Sequence, residues 1–212
     1  APFGGTATLP FDTANSVPAP RNAGPDLHEE MAKLPRPRKH YQRFYTTRPA
    51  NQNMWHPPAG LHAFIRGYYH YKSADWAGNQ PAPLPSASAA DLASMPTYYI
   101  MEQGKTIAET VAVEMPSETE IAECRWLSES ELAVYTAIFA DTGLQGGLQC
   151  YRMLGSAAAQ AEMLLFAGLQ ISVPSYFMSG ASDWGTWQSP GALDAMRRDG
   201  HLIEFTIPLW TT

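Results

Sequence analysis

Apolar positions along this chain fall mostly into helical spacing, and only near the C-terminus into strand-like runs. From Gly60 to Ala74, Leu61, Phe64, Ile65, Tyr68 and Tyr69 recur at three- and four-residue intervals and predict an amphipathic helix. Thr106 to Met115 is a second helix candidate, with Ile107, Val111 and Met115 on one face. The clearest helix runs from Glu129 to Asp141: Ser128 and Glu131 form a capping-box pattern before it and Gly143 stops it. Another begins near Gly146 or Gly147 and carries Leu148, Cys150, Tyr151 and Leu154, and Ala157 to Phe166 continues in helical spacing. Between these lie a Pro/Ala/Ser loop from Gly78 to Pro96, with a helical patch near Asp91–Met95, and a Glu-rich stretch, Glu114–Glu123, that reads as a solvated helix end and loop.

After Leu169 the pattern changes. Ile171 to Met178 reads as a buried strand closed by Ser179-Gly180. Pro190 to Asp199 reads as a short helix begun by Pro190 and ended by Gly200, and His201 to Ile207 as another strand. Strand, helix, strand is one βαβ unit with parallel strands. Residues 1–25, rich in Pro, Gly, Ala and Thr, read as a connector. The expected architecture is therefore α/β but partial: a connector at 1–25, an all-helical insert at 26–168, and one βαβ unit of a larger sheet at 169–212. Two strands cannot cover both faces of a parallel sheet, so further strands are required. Without an initiator Met or a closing helix, both ends read as cut from something larger.

Composition narrows the function classes. Of the 212 residues 45% are hydrophobic and 16% charged, the balance of a globular chain. A net charge of −6 argues against a nucleic-acid backbone as partner. Cys124 and Cys150 make neither a disulfide framework nor a metal spacing and read as core thiols. They fit a reducing, cytoplasmic setting. No apolar run spans a membrane. His40 and His70 have no second ligand at metal spacing, His201 reads as structural, and Gly146-Gly147 is not a phosphate loop, since no Lys-Ser/Thr follows. No cofactor is expected, and the oligomeric state stays open.

Three segments carry a family signal: Lys39-His40-Tyr41-Gln42-Arg43-Phe44-Tyr45; Gly143-Leu144-Gln145-Gly146-Gly147-Leu148-Gln149-Cys150-Tyr151-Arg152; and Val173-Pro174 followed by Gly180-Ala181-Ser182-Asp183-Trp184. Their order and separation resemble the lid and late core of epoxide-hydrolase-like α/β-hydrolases, over nearly all of residues 1–204. The resemblance implies a partial α/β-hydrolase fold in which a mostly helical lid precedes one unit of the core sheet. It also implies a chemistry. An aspartate attacks an epoxide carbon, two lid phenols stabilise the departing ring oxygen, and a histidine oriented by an acid activates the water that hydrolyses the ester. On that likeness Tyr41 and Tyr151 are the phenols, Asp183 is the acid, Trp184 is a substrate contact, and the substrate is a small apolar epoxide.

The departures from the pattern are as specific. The family's nucleophilic Asp sits in a strand-to-helix elbow upstream of Ala1–Gly5, and its histidine follows the last strand in a Gly-x-Gly-His turn. Neither motif occurs here, and no histidine follows His201. The final eight residues leave the pattern abruptly, as a frame error or unspliced intron would produce. Two other functions stay open: a different hydrolase on the same scaffold, such as a haloalkane dehalogenase with Trp184 as halide donor, and a truncated, inactive binding protein.

Overall fold

The computed structural model describes residues 26–164, 176–194 and 204–205. The expected connector at 1–25, the first half of the strand at 171–175, the later part of the helix from Pro190 and most of the last strand lie outside the described residues. The elements in order are α1 (Leu27–Ala32), β1 (Arg38–His40), α2 (Tyr41–Tyr45), α3 (Pro49–Trp55), α4 (Leu61–Lys72), α5 (Ala89–Leu92), β2 (Ile100–Glu102), α6 (Ile107–Val111), α7 (Glu118–Glu123), α8 (Glu129–Thr142), α9 (Gln145–Leu154), α10 (Ala157–Leu164), β3 (Tyr176–Phe177) and β4 (Glu204–Phe205). Short 3-10 turns follow α6 and β3, at Ala112–Glu114 and Trp184–Thr186.

The insert is not all-helical. β1 and β2 pair antiparallel, with Arg38 opposite Glu102, Lys39 opposite Met101 and His40 opposite Ile100. The ladder continues outward on both sides, through Tyr41 N–H to Tyr99 O at 2.8 Å and Gln103 N–H to Pro37 O at 2.9 Å. Three-residue strands are too short to show alternation, and these pair across a long sequence gap, so no local pattern announces them. Ile100 and Met101 are fully buried, and Arg38 joins them because its guanidinium donates to Ile100 O. Near the other end of the described chain, β3 and β4 pair parallel, Tyr176 with Glu204 and Phe177 with Phe205, as the βαβ reading requires.

Helix starts follow local chemistry. Thr106/Glu109, Ser117/Glu120 and Ser128/Glu131 each form a reciprocal capping box, so α6, α7 and α8 begin where their side chains satisfy the first free N–H groups. The Ser117 box corrects the loop reading of the Glu-rich stretch, because it nucleates α7 inside it. α8 ends at Gly143, whose φ of +62° favours glycine. A Cβ there would also sit 3.3 Å from Asn51 and Trp55, and Asn51 Oδ1 accepts from Leu144 N–H at 2.9 Å. The α8–α9 turn is therefore seated on α3.

α4 is the central strut. Phe64, Ile65 and Tyr71 enter the core beside Met31, Tyr98, Ile107, Val111 and Leu132. At Gly67 the turn after α6 approaches so closely that a Cβ would lie 2.3 Å from Met115 Sδ and 2.9 Å from Val111 Cγ1. On the α8 side, buried Arg66 donates to Leu127 O at 3.0 Å and pairs with Glu129 at 2.5 Å, and His62 bonds the other oxygen of Glu129 at 2.8 Å. A second correction concerns the thiols. Cys124 is half-buried and Cys150 is exposed, so neither is a core residue. Met115 is likewise exposed, because the helical face it was read into ends at Val111. No helix among the described residues is long and apolar enough to cross a membrane.

Two outcomes follow. Ser128→Ala removes one half of the α8 capping box and lowers unfolding free energy by about 1 kcal/mol, read from the urea midpoint at constant slope. His40 caps α2, its Nδ1 accepting from Gln42 N–H at 3.3 Å, which only the neutral ring can do in that tautomer. Burial, assisted by the charge of His28, pushes its pKa down to about 4 from an ordinary 6.5. A group depressed in this way binds more protons unfolded than folded. Its contribution to stability is complete above about pH 6.5 and is lost as pH falls toward 4. An NMR titration of the His40 ring with a midpoint near 6.5 contradicts this.

Candidate active site

Tyr41 opens α2. It is positioned by the β1–β2 ladder on one side and by the His40 cap on the other. Tyr45 lies one turn on, so the two rings project from the same face. Tyr151 comes from α9. That helix is held against α2 by Arg152, whose Nε and Nη2 donate to Thr46 O at 3.1 Å and Thr47 O at 2.9 Å. These carbonyls lie at the end of α2, where helix carbonyls have no intrahelical donor. Arg152 thus supplies the missing donors and fixes the neighbouring Tyr151 beside Tyr41.

The result is a cluster of edge-to-face rings. Tyr41 and Tyr151 have centroids 5.7 Å apart at 81°, Tyr45 and Tyr151 5.2 Å at 70°, Tyr41 and Tyr45 5.2 Å at 82°, and Tyr41 and Tyr99 5.3 Å at 74°. Tyr45 OH and Tyr68 OH share a 2.7 Å hydrogen bond, and Gln42 Nε2 donates to Tyr41 OH at 3.4 Å. Burial pushes the phenols of Tyr45, Tyr99 and Tyr151 above the usual range. For Tyr151 the neighbouring phenol of Tyr41 is the next cause. These three phenols are neutral donors throughout the physiological range.

Asp183 follows β3 at the head of a 3-10 turn, its Oδ1 accepting from Gly185 N–H at 2.7 Å. Its side chain is exposed, and its charge helps raise the phenols of Tyr98 and Tyr99, after burial. The loop before it is tied back to the helical part by Asn79 Nδ2 donating to Ser182 O at 2.7 Å. Trp184 is buried in the core cluster, and its indole N–H has no partner among the described residues. The structure therefore brings Tyr41 and Tyr151 together, with Tyr99 packed on Tyr41, whereas Asp183 reaches this group only through the effect of its charge on Tyr98 and Tyr99. Sequence reasoning missed the connecting groups: Tyr68, Tyr98, Tyr99 and Lys72, whose Nζ stands 5.2, 5.4 and 5.1 Å from the centroids of Tyr68, Tyr98 and Tyr99. The available signal was the crowding of tyrosines between residues 41 and 99.

Two open hollows lie elsewhere. One of about 250 Å³ separates Pro83 and Leu84 from Trp187 and Leu193, and one of about 330 Å³ lies at Trp55, Pro57 and Leu61. Neither is lined by the tyrosine cluster. What the described residues present at the cluster is a wall of phenols, with one carboxylate and one ammonium at its edge.

No family model matches the chain, and no curated protein matches it. Solved structures do. An epoxide hydrolase from an endophytic Streptomyces superposes at a TM-score of 0.58 with 20% identity, over 84% of this chain and 46% of that one. Two laboratory-evolved variants of the potato epoxide hydrolase superpose at 0.54 with 23% and 22% identity, each over 81% of this chain and 46% of the other. The chain spans just under half the length of the proteins it matches. At such identities the likeness speaks for the fold, and its conclusion is that this chain carries part of an α/β-hydrolase fold similar to that of the epoxide hydrolases.

Proposed function

We propose that this chain is the lid and part of the late core of an enzyme that opens epoxides to vicinal diols, with Tyr41 and Tyr151 as the donors to the ring oxygen. The observation that carries the reading is the pair of phenol rings 5.7 Å apart, held by two independent devices, the β1–β2 ladder and the Arg152 clamp. As the epoxide C–O bond breaks, negative charge grows on oxygen. Two donors set in place beforehand stabilise it without reorganising, and one phenol passes its proton to the alkoxide. Water competes poorly here, because Tyr41 and Tyr45 are buried and Tyr151 is half-buried.

Asp183 fits the acid that orients a histidine. One of its oxygens is held by Gly185 N–H, and the other has no hydrogen bond among the described residues. The reading assigns the nucleophilic carboxylate and the histidine to parts of the protein beyond these 212 residues. A second reading rests on Trp184. A buried indole N–H with no acceptor among the described residues is costly and suits a halide-releasing enzyme on the same scaffold. Chloride release from a chloroalkane, abolished in Trp184→Phe and without diol formation from any epoxide, would favour it.

In the full protein, Tyr41→Phe and Tyr151→Phe each lower kcat for epoxide opening roughly a hundredfold, about 3 kcal/mol of barrier. Single-turnover diol formation reads this directly, and unchanged turnover in the double variant ends the proposal. Because the Tyr151 phenol titrates above its ordinary value of about 10, the wild-type to Tyr151→Phe rate ratio stays constant from pH 6 to pH 10. A ratio that declines between pH 7 and pH 9 means the phenol ionises in that range and is not shielded by burial, and a flat ratio near one means it is not the donor.

A further inference from the structure

We infer that Lys72 is an anion anchor, so that the site takes an epoxide bearing a carboxylate rather than a purely apolar one. The inference rests on the proposed ring-opening site and adds the class of its substrate.

Lys72 closes α4, one turn after Tyr68, so its stem runs along the same face. An ordinary lysine at a helix C-terminus stays in water near the free carbonyls. Lys72 is instead half-buried, with its ammonium near the rings of Tyr68, Tyr98 and Tyr99, all within cation–π range. Two of those rings adjoin the candidate site. Tyr68 is bonded to Tyr45, which packs on both Tyr41 and Tyr151, and Tyr99 packs directly on Tyr41. The ammonium is therefore one ring removed from a proposed donor through Tyr99, and two through Tyr68.

Ring faces attract the charge but do not replace acceptors for three N–H groups. The chain has four lysines, and the other three each have an acceptor: Glu29 for Lys33, Gln103 O for Lys39 and Glu102 for Lys105. Lys72 has neither a hydrogen-bond acceptor nor a carboxylate within ion-pair distance among the described residues. Asp183, the acid acting on Tyr98 and Tyr99, makes no such pair with it. A partly desolvated ammonium with unused donors, held beside neutral phenols, is complementary to a carboxylate. The surrounding aromatic rings suit the apolar part that joins this carboxylate to the reacting ring.

The test uses the full protein and a matched pair of probes, 4-phenylbutyrate and 4-phenylbutanamide, with affinities from titration calorimetry. Wild type binds the carboxylate at least tenfold more tightly than the amide. Lys72→Met brings the two affinities together, and Lys72→Arg, which keeps the charge, retains most of the preference. Equal affinities in wild type overturn the inference and need no variant, so a Lys72→Met protein that fails to fold does not rescue it. A preference that survives in folded Lys72→Met also overturns it. Turnover of 4-(oxiran-2-yl)benzoate and its amide separates the two levels. Carboxylate preference without hydrolysis of either epoxide keeps the anchor and removes the epoxide reading, whereas hydrolysis of both without any preference does the reverse.

Discussion

Everything at the candidate site hangs on one short antiparallel ladder. β1 and β2 contribute three residues each, from distant parts of the chain, and the ladder's outermost bond ties Tyr41 N–H to Tyr99 O. That bond sets where α2 begins, and so where Tyr41 and Tyr45 point. It also brings Tyr98 and Tyr99 against the same face, with Asp183 and Lys72 beyond them. Buried backbone groups must be paired, so an unmade ladder would leave several donors and acceptors unsatisfied beside Ile100 and Met101.

The second constraint is the docking of α9. An amphipathic helix of ten residues is marginal in isolation and gains its position from packing. Gly143 turns the chain, Asn51 receives the start of the turn, Leu148 is buried, and Arg152 ties the far end to α2. These contacts span both ends of α9, leaving Tyr151 little freedom to swing away from Tyr41. A single loose contact at either end would let the ring drift by the ångström or so that catalytic alignment does not tolerate.

Packing phenols together has an electrostatic consequence. Removed from water, Tyr45, Tyr99 and Tyr151 resist ionisation and stay as donors. Hydroxyls without partners would be costly, and here the Tyr45–Tyr68 and Gln42–Tyr41 bonds supply some of them. Lys72 is the exception, a charge drawn to the rings without an acceptor of its own among the described residues. That contrast makes it informative about what the site receives.

The helices α4, α6, α8 and α9 were legible in the sequence because their information is local. Apolar spacing, the Ser128–Glu131 box and Gly143 act within a turn or two of themselves. The parallel pairing of β3 with β4 was legible for a related reason, since a strand–helix–strand run leaves few other arrangements. Tyr41 and Tyr151 could be singled out by the motifs around them, but nothing local said that their rings meet. The β1–β2 ladder, the Arg152 clamp and the placement of Lys72 among three tyrosines join residues dozens of positions apart. Such contacts form only when the whole chain has packed. The sequence by itself determined that α4, α6, α8 and α9 would form, where α8 starts and stops, and which residue types were available for donating protons. Tertiary structure alone decided which of those residues converge, because convergence depends on long-range backbone pairing that no short window of residues encodes.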